Sequence, residues 1–276
     1  MENIPAVIEV AKSLQDNKGL IGQAWRSLLE KLIGRKSTII FTGLPGVGKT
    51  TLLDKISGKM ELTDYKLPGR SAKVERNTKK ISADSLRDEP KKRLAYVVIP
   101  GQESSVRQRA FEDLFKGDEA VAGVVHVVSG GLPTIRERVS LLKLTEKGID
   151  TIEKFRKFQL ENELEDLDMV CDAVERYMVA SRKPLWLLIV VNKADLFAAT
   201  VNQEMDGYSK ATSPFSERVR LLQARIGSLY FDWDVTPMSS YIEDFTFQTQ
   251  TIDSALRPAQ QQEYVKAFIK KLIERC

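Results

Sequence analysis

Cysteine and histidine are scarce in this chain. The two cysteines, Cys171 and Cys276, stand too far apart in sequence to form metal-ligand pairs or a disulfide framework, which points to a reduced, cytoplasmic setting. The single histidine, His126, excludes chemistry built on a histidine pair or a His-rich zinc site. It lies inside Val124-Val125-His126-Val127-Val128, a run that reads as a buried strand, so a structural role is expected for it. No apolar stretch approaches the roughly 18 to 20 residues of a membrane span, and the N-terminus lacks the pattern of a secretory signal. Charge of one sign is also missing. With 42 basic and 38 acidic residues the net charge is only +4, too weak a bias to argue for nucleic acid or a membrane surface.

What is present is ample apolar material, 42% of 276 residues, enough for a well-buried core. Residues 4 to 33 carry two helical patterns separated by Asp16-Asn17-Lys18-Gly19, so residues 1–36 are expected to form an N-terminal helical extension. From residue 37 onward, short apolar runs alternate with helical stretches, the pattern of an α/β domain with a mostly parallel central sheet flanked by helices. Strands are expected at Thr38–Phe41, Lys79–Leu86, Leu94–Ile99, Ala122–Val128, Trp186–Val191 and Tyr230–Thr236, the second antiparallel to the third. Helices are expected over Thr50–Ser57, Val106–Leu114, a long region ending near Ser181, Pro214–Ile226 and Pro258–Glu274.

Directly after the first strand stands Gly43-Leu44-Pro45-Gly46-Val47-Gly48-Lys49-Thr50, a complete G-x-x-x-x-G-K-[ST] sequence that opens a helix. The chemistry explains the pattern. Glycines let the backbone curl so that successive N–H groups face one concavity at the helix N-terminus, where phosphate oxygens bind. Lys49 can then reach the β and γ phosphates, the Thr50 hydroxyl can ligate Mg²⁺, and Pro45, Val47 and Thr51 complete the nucleotide-binding loop. A second motif, Asn192-Lys193-Ala194-Asp195, follows the buried run Leu188-Ile189-Val190-Val191, at the strand edge where open α/β sheets bind ligands. A carboxylate there can accept the ring N–H and the exocyclic amine of guanine, whereas adenine would present an unpaired acceptor. Asp195 therefore selects GTP over ATP, Lys193 can lay its stem over the base, and Asn192 can tie neighbouring loops together.

Together these motifs resemble the Ras superfamily of GTPases, built on a P-loop G domain. The resemblance covers residues 37–276, apart from an insertion of about 132–158 before the third helix. It implies that Ser239 and Ser240, after the last strand, contact guanine through their backbone. It also implies a γ-phosphate motif of the form D-x-x-G followed by Gln, in which Gly101 senses phosphate and Gln102 orients the attacking water. Here the segment reads Val98-Ile99-Pro100-Gly101-Gln102, with valine at the aspartate position. That version is similar to the T-V-P-G-Q motif of the bacterial Ras-like GTPases that govern polarity in gliding bacteria. The family further implies a first switch loop, here Leu62–Asn77, and a threonine that meets Mg²⁺ when γ-phosphate is present; Thr78 is the choice, with Thr63 and Ser71 as alternatives. Arg76 is placed like the arginine that acts in cis in the gliding-polarity relatives. The expected function is a GTPase switch using Mg²⁺, with a protein effector or activating partner engaged through the switch segments, the N-terminal helices or the insertion. A nucleotide-loaded scaffold that hydrolyses little is the alternative, and a P-loop ATPase is a second rival.

Overall fold

The computed structural model describes residues 38–61, 66–69, 74–80, 93–101, 104–116 and 121–275. The expected N-terminal helical extension, Gln102, Thr63 and Ser71 lie outside these residues.

Six strands form one sheet in the order β2-β3-β1-β4-β5-β6, comprising β1 (Thr38–Thr42), β2 (Glu75–Lys80), β3 (Arg93–Val98), β4 (Val121–Val128), β5 (Leu185–Val191) and β6 (Phe231–Pro237). All neighbours are parallel except β2, which pairs antiparallel with β3 at one edge. The fully buried run of β5, Leu-Trp-Leu-Leu-Ile-Val-Val, is what a strand covered on both faces requires.

Helices pack on both faces and the strand alternation assigns them. These are α1 (Lys49–Ile56), α2 (Ser104–Lys116), α3 (Arg138–Glu146), α4 (Ile152–Ser181), α5 (Val201–Ser209), α6 (Pro214–Ile226) and α7 (Pro258–Arg275). Ile40, Val124 and Val128 face Phe111 of α2, Leu167, Val170 and Val174 of α4, and Val219 of α6. Ile39, Phe41, Val125 and Val127 face the opposite way, onto Leu52 and Ile56 of α1 and Phe268 and Leu272 of α7. A third, smaller core of Leu132, Leu144, Phe155, Leu196, Phe197, Phe245 and Phe247 sits beyond the sheet. It joins α3 and the start of α4 to a hairpin of β7 (Phe245–Phe247) and β8 (Gln250–Ile252).

Several elements depart from expectation or add to it. The edge strand starts at Glu75 rather than Lys79, so Arg76 and Thr78 lie within β2 and the expected loop Leu62–Asn77 ends earlier. Alternation of Arg76, Thr78 and Lys80 with Glu75, Asn77 and Lys79 carries no apolar signal, which explains why the strand start was hidden. The segment expected as an insertion holds α3, and its last residues already form the opening turns of α4. Thr151 caps that helix by accepting a hydrogen bond from the Lys154 amide at 3.3 Å. Helix α5 and the hairpin were not anticipated at all.

Candidate functional site

The strands' carboxyl ends bring the loops 43–48, 99–101, 129–137, 192–195 and 238–243 to one edge of the sheet. They surround a cavity of about 1220 Å³. Gly46 and Gly48 adopt positive φ of 78° and 94°, the conformation that turns the loop's N–H groups inward before α1 begins at Lys49. Side chains could not replace them, because a Cβ on Gly46 would strike the Thr134 carbonyl and one on Gly48 would strike the Asn192 amide. Lys49 folds over the loop and donates to the Gly43 carbonyl at 2.7 Å and the Leu44 carbonyl at 2.9 Å. Burial, reinforced by the Arg107 guanidinium and opposed by Asp166, pulls its pKa down to about 7. An ammonium destabilised in this way gains from an anionic oxygen placed beside it.

At the other end of the cavity Asp195 is 1% exposed. Its Oδ1 accepts from the Ser239 hydroxyl at 2.9 Å and its Oδ2 from the Glu243 amide at 3.4 Å. Burial pushes its carboxyl upward, while those hydrogen bonds hold it down. Asn192 joins the two ends. Its Nδ2 donates to the Val47 carbonyl at 2.8 Å, and its Oδ1 accepts from the Ser240 amide at 3.0 Å and hydroxyl at 2.9 Å. Lys193, in the left-handed region at φ 61°, donates to the Leu132 carbonyl at 2.7 Å and the Thr134 hydroxyl at 2.8 Å. Its Nζ lies 5.2 Å from the Phe245 ring centroid, within cation–π range. Burial lowers its pKa to about 8.

The segment after β4 passes over the glycine-rich loop. The Thr134 amide donates to the Gly46 carbonyl at 3.0 Å, and Arg136, two residues on, donates to the Pro68 carbonyl at 2.6 Å. Beneath it, Glu163 of α4 is buried and accepts from the Ser129 amide and hydroxyl, both at 2.8 Å, and from the Tyr208 hydroxyl at 2.8 Å. Burial raises the Glu163 pKa.

A second buried constellation adjoins the glycine-rich end of the cavity, which Arg107 and Asp166 also line. Arg107 of α2 pairs with Asp166 of α4 and donates to the Thr42 hydroxyl at 3.0 Å. His126 of β4 comes within 4.0 Å of Asp166 through Nε2. All four groups are buried. They belong to the sheet face that carries α4, and the electrostatic influence of Arg107 and Asp166 on Lys49 ties them to the loop.

Of the residues singled out from sequence, Pro45, Gly46, Gly48, Lys49, Thr50, Thr51, Gly101, Asn192, Lys193, Asp195 and Ser240 line the one cavity. Val47 and Ser239 are buried behind it, the latter on Asp195. Gly43 supplies a carbonyl to Lys49. Val98 is 2% exposed in the apolar layer with Leu52 and Phe268, and its side chain offers no oxygen. Thr78 lies opposite Ala95 in β2, three residues along from the Glu75–Val98 pair at the carboxyl edge, and Arg76 lies opposite Val97 with an exposed side chain. Sequence reasoning missed Arg107, Thr134, Arg136, Glu163 and Asp166. An acidic or basic residue on an otherwise apolar helix face was the available signal for Arg107, Glu163 and Asp166; nothing distinguished Thr134 or Arg136.

No protein-family model matches this sequence, and no match is found among curated proteins. Several solved structures are similar to this chain. The signal recognition particle receptor complex SRb-GTP/SRX from Chaetomium thermophilum is 13% identical with a TM-score of 0.48, covering 84% of this chain and 96% of that one. A probable GTP-binding protein, engB, is 16% identical with a TM-score of 0.42 over 87% of this chain and 98% of its own. An ADP-ribosylation-factor-like, small COPII coat GTPase from Encephalitozoon cuniculi, in complex with GDP, is 15% identical with a TM-score of 0.35 over 99% and 97%. The fold is α/β, a mostly parallel six-stranded sheet flanked by helices, with the glycine-rich turn into α1 and the Asn192–Asp195 loop at the same sheet edge.

Proposed function

We propose that this chain binds GTP and hydrolyses it to GDP and phosphate, acting as a nucleotide-controlled switch. The observation that carries the reading is the buried Asp195 carboxylate, fixed by Ser239 and the Glu243 amide at one end of a cavity whose other end is the glycine-rich loop. Guanine offers two adjacent N–H donors to such a carboxylate and adenine does not. Asn192 sets the distance between the two ends by bonding both. In this reading Lys49 and the amides of the loop hold the β and γ phosphates, Gly101 and Gln102 attend the γ-phosphate, and the stem of Lys193 covers the base.

Mg²⁺ characteristically takes one or two protein oxygens and fills its octahedron with phosphates and water, so Thr50 at the first turn of α1 fits it. When bound, the ion would neutralise charge on the phosphates. Thr78 is retained as the second proposed ligand, although it stands within β2. Val98 at the position of the usual carboxylate favours a second reading, a scaffold that holds guanine nucleotide and hydrolyses little.

Titration of the full chain with GTP and ATP, with phosphate release followed in the same samples, separates these readings. The switch reading expects GTP-selective binding and slow release that Gln102→Ala abolishes. Selective binding without release supports the scaffold, and equal affinity for ATP and GTP removes both. Asp195→Asn should weaken GTP at least about 100-fold, since hydrogen bonds to a charged partner are worth about 1.5–3 kcal/mol each, while xanthosine triphosphate should gain.

A further inference from the structure

We propose that Arg136 supplies, from within the chain, the cation that stabilises the phosphates during GTP hydrolysis. This inference rests on the GTPase reading above and names a residue for it.

Two anchors position Arg136. On one side the Thr134 amide bonds the Gly46 carbonyl, and the Thr134 backbone fills the space that a Gly46 side chain would need. The segment is therefore seated directly on the turn that cradles phosphate. On the other side the guanidinium donates to the Pro68 carbonyl at 2.6 Å, in the stretch between α1 and β2 that should respond to nucleotide. Arg136, Pro68, Gly101, Lys49 and Thr50 all line the same cavity. Lys193 grips the base of the segment through Leu132 and Thr134, so its path is fixed from both the base end and the phosphate end.

Chemistry favours Arg136 over the other arginines near the site. Arg107 also lines the cavity but is buried and committed to Asp166 and Thr42. Arg76 belongs to the edge strand, one residue pair along from the Glu75–Val98 pair, and its register is fixed opposite Val97. Arg136 is exposed, and among the described residues its recorded partner is a neutral carbonyl, which a phosphate oxygen outcompetes. Glu137, the one acid beside it in the segment, accepts from the Ser140 hydroxyl at 3.2 Å at the start of α3. In hydrolysis the water oxygen forms a bond to the γ-phosphorus as the bond to the β–γ bridging oxygen breaks. The electron pair stays on that oxygen and the water proton passes to the released phosphate. Negative charge grows on the bridging oxygen, and a planar guanidinium pairs with it and with a γ-oxygen at once.

The test uses the full chain with Arg136→Ala and Arg136→Lys. It measures GDP and GTP affinity, single-turnover phosphate release, and the tightening of GDP binding by aluminium fluoride, which mimics the transferring phosphoryl group. Arg136→Ala should release phosphate about 1000-fold more slowly. It should keep GDP affinity within about threefold, a difference under 1 kcal/mol, and lose the aluminium fluoride effect. Arg136→Lys should keep GDP affinity and remain impaired at least about tenfold, because an ammonium cannot make the paired contact. Wild-type release by Arg136→Ala overturns the proposal and leaves a strap between Gly46 and Pro68. A wild-type chain that binds GTP without hydrolysing it also overturns it while GTP binding stands; one that binds no GTP removes the parent reading as well.

Discussion

His126 illustrates how much a single buried side chain can reveal. It is fully buried, and neither ring nitrogen has a hydrogen-bond partner among the described residues. Burial pulls its pKa from 6.5 down to about 4, against the pull of Asp166 and with the help of Arg107 and Lys49. The folded chain therefore holds this imidazole neutral where the unfolded chain would already protonate it. Its contribution to stability is complete above about pH 6.5 and is lost as pH falls toward 4, at no more than about 1.4 kcal/mol per pH unit. Urea denaturation should show wild type losing more stability than His126→Gln between pH 7 and pH 5. Parallel pH profiles for the two would mean that the imidazole does not govern this range.

The hairpin of β7 and β8 is the least conspicuous element that touches the site. Phe247 is 2% exposed and stacks on Phe155 of α4 at 4.4 Å, while Phe245 lies under the Lys193 ammonium. Truncating Phe247 removes a buried ring stacked on Phe155 from the smallest of the three cores, so Phe247→Ala should cost about 3 kcal/mol. It should also weaken guanine nucleotide by releasing Lys193. Denaturation and GTP titration check both, and an unchanged titration would separate the hairpin from the base. Little of this element was legible in sequence, because Phe245-Thr246-Phe247 and Gln250-Thr251-Ile252 are too short for alternation to stand out among polar neighbours. Helix α5 was hidden for a related reason: of its nine residues Tyr208 alone is buried, so its apolar stripe is thin. By contrast β1, β4 and β5 are dense in Val, Ile and Leu, buried on both faces, and could be read directly. The same contrast runs through the site. The loop at 43–50 and the Asn192–Asp195 turn are contiguous in sequence, whereas Arg107, His126 and Asp166 meet only after α2, β4 and α4 have packed together.

Across the molecule, Asn192 joins the two ends of the cavity, the glycine-rich loop and the loop after β6. Asn192→Ala would remove three hydrogen bonds and leave the Val47 carbonyl and Ser240 amide unsatisfied, at about 2–4 kcal/mol of stability. Because it aligns the two ends and does not sense the γ-phosphate, GTP and GDP should weaken by a similar factor in parallel titrations. A loss confined to GTP would contradict that division. Helix α4 extends the connection further. Its 30 residues make a rod about 45 Å long, against about 26 Å for β4, the longest strand among the described residues, so it overhangs the sheet. The overhanging turns carry Phe155, Gln159 and Asn162 along the cavity wall, and the seated half holds Leu167, Val170 and Tyr177 in the core. Asp166, gripped by Arg107, stands at the boundary. The rod is thus stayed at that ion pair, with one arm laid along the cavity and the other moored in the core, where Tyr177 stacks on Phe115 of α2 at 4.4 Å.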